Sequence, residues 1–526
     1  MSAPQSPDRP TLAQLKAQSV ELLRTAREKQ PAALARFRTV PGLEAYDDTA
    51  LASLTITPHD ARTVIARERG FASWSALRDE AEEFSAQADL AAFARAIAEQ
   101  RFDRVERLLA RHPRFVEENF HAALSLGAVE AVRARLAANP ALATERGGPL
   151  NWEPILYVAH SHWARKNSAG LVATARLLLE HGANPNASYP WQGDPKQQLP
   201  ALWAAACEAR HIELARVLLE AGANPDDGES VCHSAEHGNI PMLELLAKHG
   251  AQADGGAGAI PWGNTPLYFI LGHYAGLAHD AEVRRGAAWL LAHGANPNRV
   301  CYPDKSAETS LHLAARHWDG AMIDLLVAHG ADVHARRGDG RTALTLAELN
   351  GRTSAAAALR AHGARDELTP SEQFAAACMR GDRETALRLR EPSLVAAHAA
   401  LLLETASHET TAALETMLAC GFDVGATGGM GETALHWSAF TGNLAATRVL
   451  LAHGASVDAR DKTYRAPPLG WCFHASNQTR PPRSDFPGVA CALLAAGSPI
   501  EEDPEGAAGD DVLDAVAAYQ RTQPKR

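Results

Sequence analysis

The sequence predicts an all-α solenoid of about a dozen helix–turn–helix units joined by short β-hairpin-like turns. Three observations predict it. A helix ending recurs as LLLEHGANPN (177–186), VLLEAGANPD (217–226), LLAKHGAQAD (245–254), LLAHGANPN (290–298), LLVAHGADVH (325–334) and LLAHGASVD (450–458). A helix opening recurs less faithfully, as TPLYFI at Thr265, TSLHLAA at Thr309, TALTLA at Thr342 and TALHWSA at Thr433. The two motifs keep a fixed order, and closing glycines stand 33 residues apart from Gly330 to Gly363 and from Gly421 to Gly454.

The stretch from Gly428 to Arg460 shows why each motif takes its form. Gly428, Gly429 and Gly431 permit the positive φ of a hairpin tip. Thr433 caps a first helix whose apolar side includes Leu435 and Ala439, and Gly442 stops it. The second helix carries Val449, Leu450 and Leu451 and ends at His453-Gly454-Ala455, where Gly454 suits a left-handed cap. Helices this short bury their faces only against copies of the same unit. In its period and its T-P-L-H opening the unit resembles the ankyrin repeat. That resemblance implies a rigid array that binds a partner with its turn tips and the first helices of its concave side.

In chain order, residues 1–10 form a Pro-rich tail expected to be disordered. Residues 11–86 form a helical leader without repeat signature. In it Leu12, Leu15, Ser19, Leu22, Leu23 and Ala26 share one helical face, and Thr57-Pro58-His59-Asp60 forms a capping box with Pro at the first helical position. After Gly70, Trp74 and Leu77 sit on a further helix. The segment resembles the helical leader of bacterial ankyrin proteins, and its expected role is an N-terminal cap over the first repeat. The array then runs over 88–367, its first two repeats degenerate (90–113 and 119–140), with insertions at Ala187–Leu199 and Gly272–Glu282. The T-P-L-H pattern is lost from Pro370 to Asp423, so a second sub-array is expected over 370–501, with an insertion at 474–488. Residues 502–526 supply an acidic linker, a closing helix near Val512–Tyr519 and a tail.

A chain of 526 residues exceeds the usual single domain, which a solenoid permits because its core grows along one axis. The net charge of −11 argues against general nucleic-acid binding. Seven scattered cysteines without CxxC spacing read as reduced thiols, and the chain has neither a signal-like start nor an 18-residue apolar run, so the expected location is the cytoplasm, with no membrane partner.

Catalytic, cofactor and metal sites are not expected. His233 and His237 lie four apart beside Cys232, a spacing that metal sites use. The structural alternative is stronger, because His233, His312 and His436 occupy the motif position whose imidazole, in the ankyrin family, ties neighbouring turns together. His160-Ser161-His162 diverges on a helix. His181, His249, His293, His329, His362 and His453 belong to helix ends, where a cation is favoured. No G-x-S-x-G, P-loop or H-E-x-x-H is present, and the glycines of Gly425–Gly431 fit a turn without remainder.

The functional lead is aromatic. Trp152, Trp191, Trp262, Tyr302 and Tyr464 stand near turn tips, and Tyr157, Trp203 and Tyr268 replace the motif histidine. Trp and Tyr anchor interfaces. For Tyr157 and Trp203, next to Leu156 and Leu202, core packing is the expected role. For Trp152, Trp191 and Trp262, in polar Gly/Pro/Asn surroundings, packing and partner binding stand level. The expected function is a non-enzymatic scaffold for an unidentified protein partner. The alternative is a regulatory or effector protein whose 11–84 segment carries the activity while the repeats target it.

Overall fold

The computed structural model describes residues 10, 12–78, 90–98, 100–194, 196–255, 265–273, 280–302, 305–365, 367–407, 411–477, 483–500 and 508–522. Trp262, the start of the tail (1–9), the linker residues 501–507 and parts of two insertions (274–279 and 478–482) lie outside these. The chain divides into two compact units. One is Ala88–Glu367; the other joins Met1–Gln87 to Leu368–Arg526.

The unit Ala88–Glu367 is a succession of helix pairs, among them Phe120–Leu126 with Val129–Ala138, Pro154–Ala159 with Ala164–Glu180, Ser230–Glu236 with Ile240–Lys248, and Ser310–His317 with Gly320–Ala328. The pairs from Phe120 onward contribute leucines and alanines to one continuous core that includes Leu156, Leu178, Leu202, Leu218, Leu246, Leu290, Leu311 and Leu326, while Phe93, Ile97 and Val105 of the first pair form a smaller cluster with Phe115. Thr309 closes a capping box on the Ser310–His317 helix, and Thr342 accepts the Thr345 N–H at the next opening. At the other ends, histidines reach back to carbonyls of their own helices. The Nδ1 atoms of His181, His293 and His329 lie 2.8, 2.8 and 3.0 Å from the carbonyls of Leu177, Trp289 and Leu325. The Ala187–Leu199 insertion folds into a hairpin of Ser188–Pro190 against Gln198–Pro200, with Tyr189 opposite Leu199.

The other unit is discontinuous in sequence. Its C-terminal part holds the helix pairs Pro370–Arg380 with Arg383–Leu389, Ala434–Phe440 with Leu444–Ala452, and Pro468–Ser476 with Phe486–Ala495, and ends on the helix Asp510–Thr522. Its N-terminal part is the leader, whose helix Leu12–Arg27 buries Leu15, Ser19, Leu22, Leu23 and Ala26, the face read from the sequence. The Thr57–Asp60 capping box is present, with Pro58 opening the helix Pro58–Arg67.

Within its unit the leader packs on the closing helix. Asp60 is ion-paired to Arg521, His59 Nε2 lies 2.8 Å from Asp514, and Ser75 Oγ donates to Asp510 at 2.6 Å. The physical reason is a match of buried polar groups. The Asp60 side chain is 1% exposed, and the Arg521 guanidinium supplies the opposite charge that so buried a carboxylate requires.

Gly454 ends the Leu444–Ala452 helix pair's turn with φ +83°, and an added Cβ would meet nothing within 4 Å. Backbone conformation alone therefore reserves the position for glycine. Gly454→Val is expected to cost about 1–3 kcal/mol, measured by reversible denaturation, and Gly454→Asn clearly less, because asparagine tolerates the left-handed region.

Candidate protein-binding surface

In the unit Ala88–Glu367 the residues at and around the motif-histidine position form a row of rings that crosses successive helix pairs. It starts at Tyr157, whose hydroxyl donates to the Gly147 carbonyl (2.8 Å) and accepts the Leu150 N–H (2.9 Å), tying down the turn that carries Trp152. The Trp152 ring lies 5.6 Å from Tyr157, 4.8 Å from His160 and 4.5 Å from Tyr189. Trp203 continues the row 6.0 Å from His160 and 5.7 Å from His233, which in turn stands 5.1 Å from Phe269. All these spacings lie within the 4.5–7 Å at which aromatic rings attract one another.

Two local departures from regular structure build the row. The inserted hairpin places Tyr189 over Trp152 and His160. The helix begun at Ala201–Trp203 widens into a π turn over Ala204–Glu208, a device frequent at functional sites. Glu208 thereby faces the row: its Oε2 lies 2.6 Å from His160 Nδ1. Burial pushes the Glu208 carboxyl up, but the His160 hydrogen bond and the neighbouring His160, His162 and His233 outweigh it and hold the group below its ordinary range. Burial, with Glu208 adding to it, pushes the Tyr189 phenol strongly up, so it stays neutral.

Of the five residues singled out from the sequence, the structure brings only Trp152 into this cluster. Trp191 sits beyond it at the hairpin tip, 43% exposed. Tyr302 packs edge-on against Tyr268 (5.6 Å), half-buried, with Lys305 over its ring at 5.9 Å. Tyr464 is 71% exposed in the other unit, and Trp262 is outside the described residues. Tyr157 and Trp203 are buried, as expected of core rings. Sequence reasoning missed Tyr189 and Glu208. The insertion and its aromatic residue were the available signal for the first; the π turn has no sequence signature.

The family model for ankyrin repeats, in three copies, matches residues 277–370, and the single-repeat model matches residues 430–462. The chain carries ankyrin repeats. ARF GTPase-activating protein Git of Drosophila melanogaster is 41% identical over 61 residues, which make up 12% of this chain and 8% of that protein. The chain thus matches less than a tenth of that relative's length. The crystal structure of the human ASB11 ankyrin repeat domain aligns with a TM-score of 0.36 at 24% identity, covering 47% of this chain and 98% of that one.

Where the ankyrin repeats are most regular, the motif histidine ties neighbouring turns as expected. His312 Nδ1 lies 2.9 Å from Thr309 Oγ1 and its Nε2 3.0 Å from the Ala335 carbonyl. His436 repeats the arrangement with Thr433 and with the Ala466 carbonyl at 3.2 Å. Burial lowers both imidazoles, the carbonyl bonds acting against it.

His233 also meets two carboxylates, which His312 and His436 are not shown to do, and the turn it is expected to tie lies outside the described residues. Its Nδ1 lies 2.8 Å from Glu236 and its Nε2 3.4 Å from Glu229. Both carboxylates come from its own helix and the turn before it. Burial alone would lower the His233 imidazole, but hydrogen bonds to Glu229 and Glu236 raise it to about 9. A raised histidine adds stability that is complete below its unfolded value and is lost as pH rises through the folded one. The stability advantage of the wild type over His233→Gln is therefore expected to shrink by roughly 2 kcal/mol between pH 6.5 and 8.5, read from urea denaturation at each pH.

Proposed function

We propose that this chain is a non-enzymatic interaction scaffold, an ankyrin array of about a dozen units whose concave side and turn tips bind a partner protein. The observation that carries the reading is the ring row from Trp152 to Phe269. Half-buried aromatic side chains fixed by their neighbours bind with little further ordering, which favours association. Trp152, Trp191, Trp262, Tyr302 and Tyr464 remain our candidates for partner contact, the first within the row and the second beyond it at the hairpin tip. The thiols support the absence of catalysis: burial pushes Cys207 and Cys232 well up and, with Cys420, Cys378 to about 12, which leaves them poor nucleophiles. Among the described residues no helix is long and apolar enough to cross a membrane, and with the charge of −11 this supports a cytoplasmic, protein-binding role over a nucleic-acid or membrane one.

The test is crosslinked affinity capture from the native host with wild type and a Trp152→Ala/Trp191→Ala variant of unchanged circular dichroism. Loss of a discrete partner in the variant is the expected result. Retention of the same proteins at the same yield by the variant would remove the row from the interface.

One observation favours the second reading, an active or regulatory leader. Leader residues Arg27, Lys29, Leu54 and Ile56 line a cleft of about 980 Å³ together with Ser498 and Tyr519. Residues 1–86 folding alone and retaining a ligand there would support an active leader; collapse on excision would support a structural end piece docked on the closing helix.

A further inference from the structure

The row is an acidic surface as well as an aromatic one. Glu208, Glu229 and Glu236 enter it from three places: the π turn, the turn before the Ser230–Glu236 helix, and that helix itself. Glu208 and Glu229 are about one-third and one-fifth exposed, whereas Glu236 is almost wholly buried. Their imidazole partners leave the balance negative. One imidazolium, His233, stands between Glu229 and Glu236, and Glu208 faces His160.

Hydrogen-bonding capacity at the row is also unmet. Glu236 Oε1, His160 Nε2 and Trp203 Nε1 are buried and have no partner among the described residues. Other buried tryptophans of the same unit are satisfied: Trp289 Nε1 donates to Glu244 at 2.7 Å, and Trp318 Nε1 to the Leu271 carbonyl at 2.9 Å. Three orphaned atoms on neighbouring residues are a concentration that native interiors avoid unless the site has a use. Of the three, Glu236 Oε1 accepts and Trp203 Nε1 donates, while His160 Nε2 does either, its Nδ1 being committed to Glu208. The excess of carboxylates then decides what the row attracts, namely donors that carry positive charge.

We propose that the row between Trp152 and His233 is the seat for an arginine side chain of the partner protein, inserted so that its guanidinium lies against the Trp152–Tyr189–His160 rings and is held by Glu208 and Glu229. A planar guanidinium stacks on aromatic faces and offers five donors in a fixed fork, a better match to flat rings with lateral carboxylates than a compact ammonium. An acidic side chain would face three carboxylates, and a neutral one would leave their excess charge unbalanced. This inference rests on the reading of the row as the protein-binding surface and names what that surface selects.

The experiment uses the full chain labelled with ¹⁵N at its tryptophan indoles, the Trp152 and Trp203 signals being assigned with Trp152→Phe and Trp203→Phe. N-acetyl-arginine amide is titrated against its neutral isostere, N-acetyl-citrulline amide. The expected result is a saturable shift of both signals at millimolar arginine amide, at least tenfold weaker for the citrulline amide, and a five- to tenfold loss of affinity in Glu208→Gln. Glu229→Gln serves as a second variant should the first fail to fold. Equal responses to the two amides, no saturation, or shifts confined to other tryptophans would overturn the proposal. A randomised peptide array separates it from the wider reading. Peptides that bind regardless of charge and are lost in Trp152→Ala would leave the scaffold reading standing and sink the arginine seat. An arginine-amide site with no partner captured in the crosslinking experiment would do the reverse.

Discussion

Replacing Arg521 with leucine is expected to free the closing helix from the leader. Arg521 is 11% exposed and its partner Asp60 1%, so the substitution leaves a buried carboxylate without its counter-charge. Breaking such a pair from one side costs about 3–5 kcal/mol. The Thr57 N–H and hydroxyl, each 2.8 Å from Asp60 Oδ2, still bond the carboxylate, which puts the expectation near the lower end. His59–Asp514 adds little, since Asp514 is half exposed and solvent screens the pair. About 3 kcal/mol corresponds to roughly a hundredfold faster hydrogen exchange at the Val512–Tyr519 amides. Asp60→Asn/Arg521→Leu should recover part of the loss, because no charge is then stranded. Exchange unchanged in Arg521→Leu would show that apolar contact alone holds the helix.

Leu450→Ala is expected to lower stability by about 2–5 kcal/mol. The side chain is 0% exposed in the core that also holds Leu435, Ala439, Leu469 and Val489, and the rigid helix pairs around it limit collapse into the cavity. The loss should appear as a shift in denaturation midpoint with the slope of the transition retained. A change below half a kcal/mol would mean that the surrounding pairs close the gap.

What the sequence carried was local. Thr57 and Asp60 are three residues apart, so their capping box is readable in a four-residue window, and the buried face of Leu12–Arg27 follows from helical spacing alone. The same holds for Thr309 with His312 and for the ends at His293 and His329. The pairing of Asp60 with Arg521 has no periodic trace, because nothing in either segment marks its mate. Nor was the row legible. Trp152 is an isolated tryptophan in the sequence, and it becomes part of a surface only when the hairpin folds Tyr189 onto it and the π turn aims Glu208 at His160. At His233 the motif position was legible, whereas the Glu229 and Glu236 carboxylates that meet its ring were not singled out from the sequence.

The docking of leader on closing helix also sets a timetable. Asp60 and Arg521 are 461 residues apart, so at ~5–20 residues per second the ribosome delivers the second roughly 20–90 s after the first. Helices and loops form in microseconds, so throughout that interval the leader has had time to fold but has no closing helix to dock on. Its Pro58–Arg67 surface is then open to whatever else is present, with Asp60 awaiting its charge. A nascent-chain chaperone, or the leader of a neighbouring chain, would compete for that surface most strongly before synthesis ends, and a stall after residue 367 would prolong the exposure.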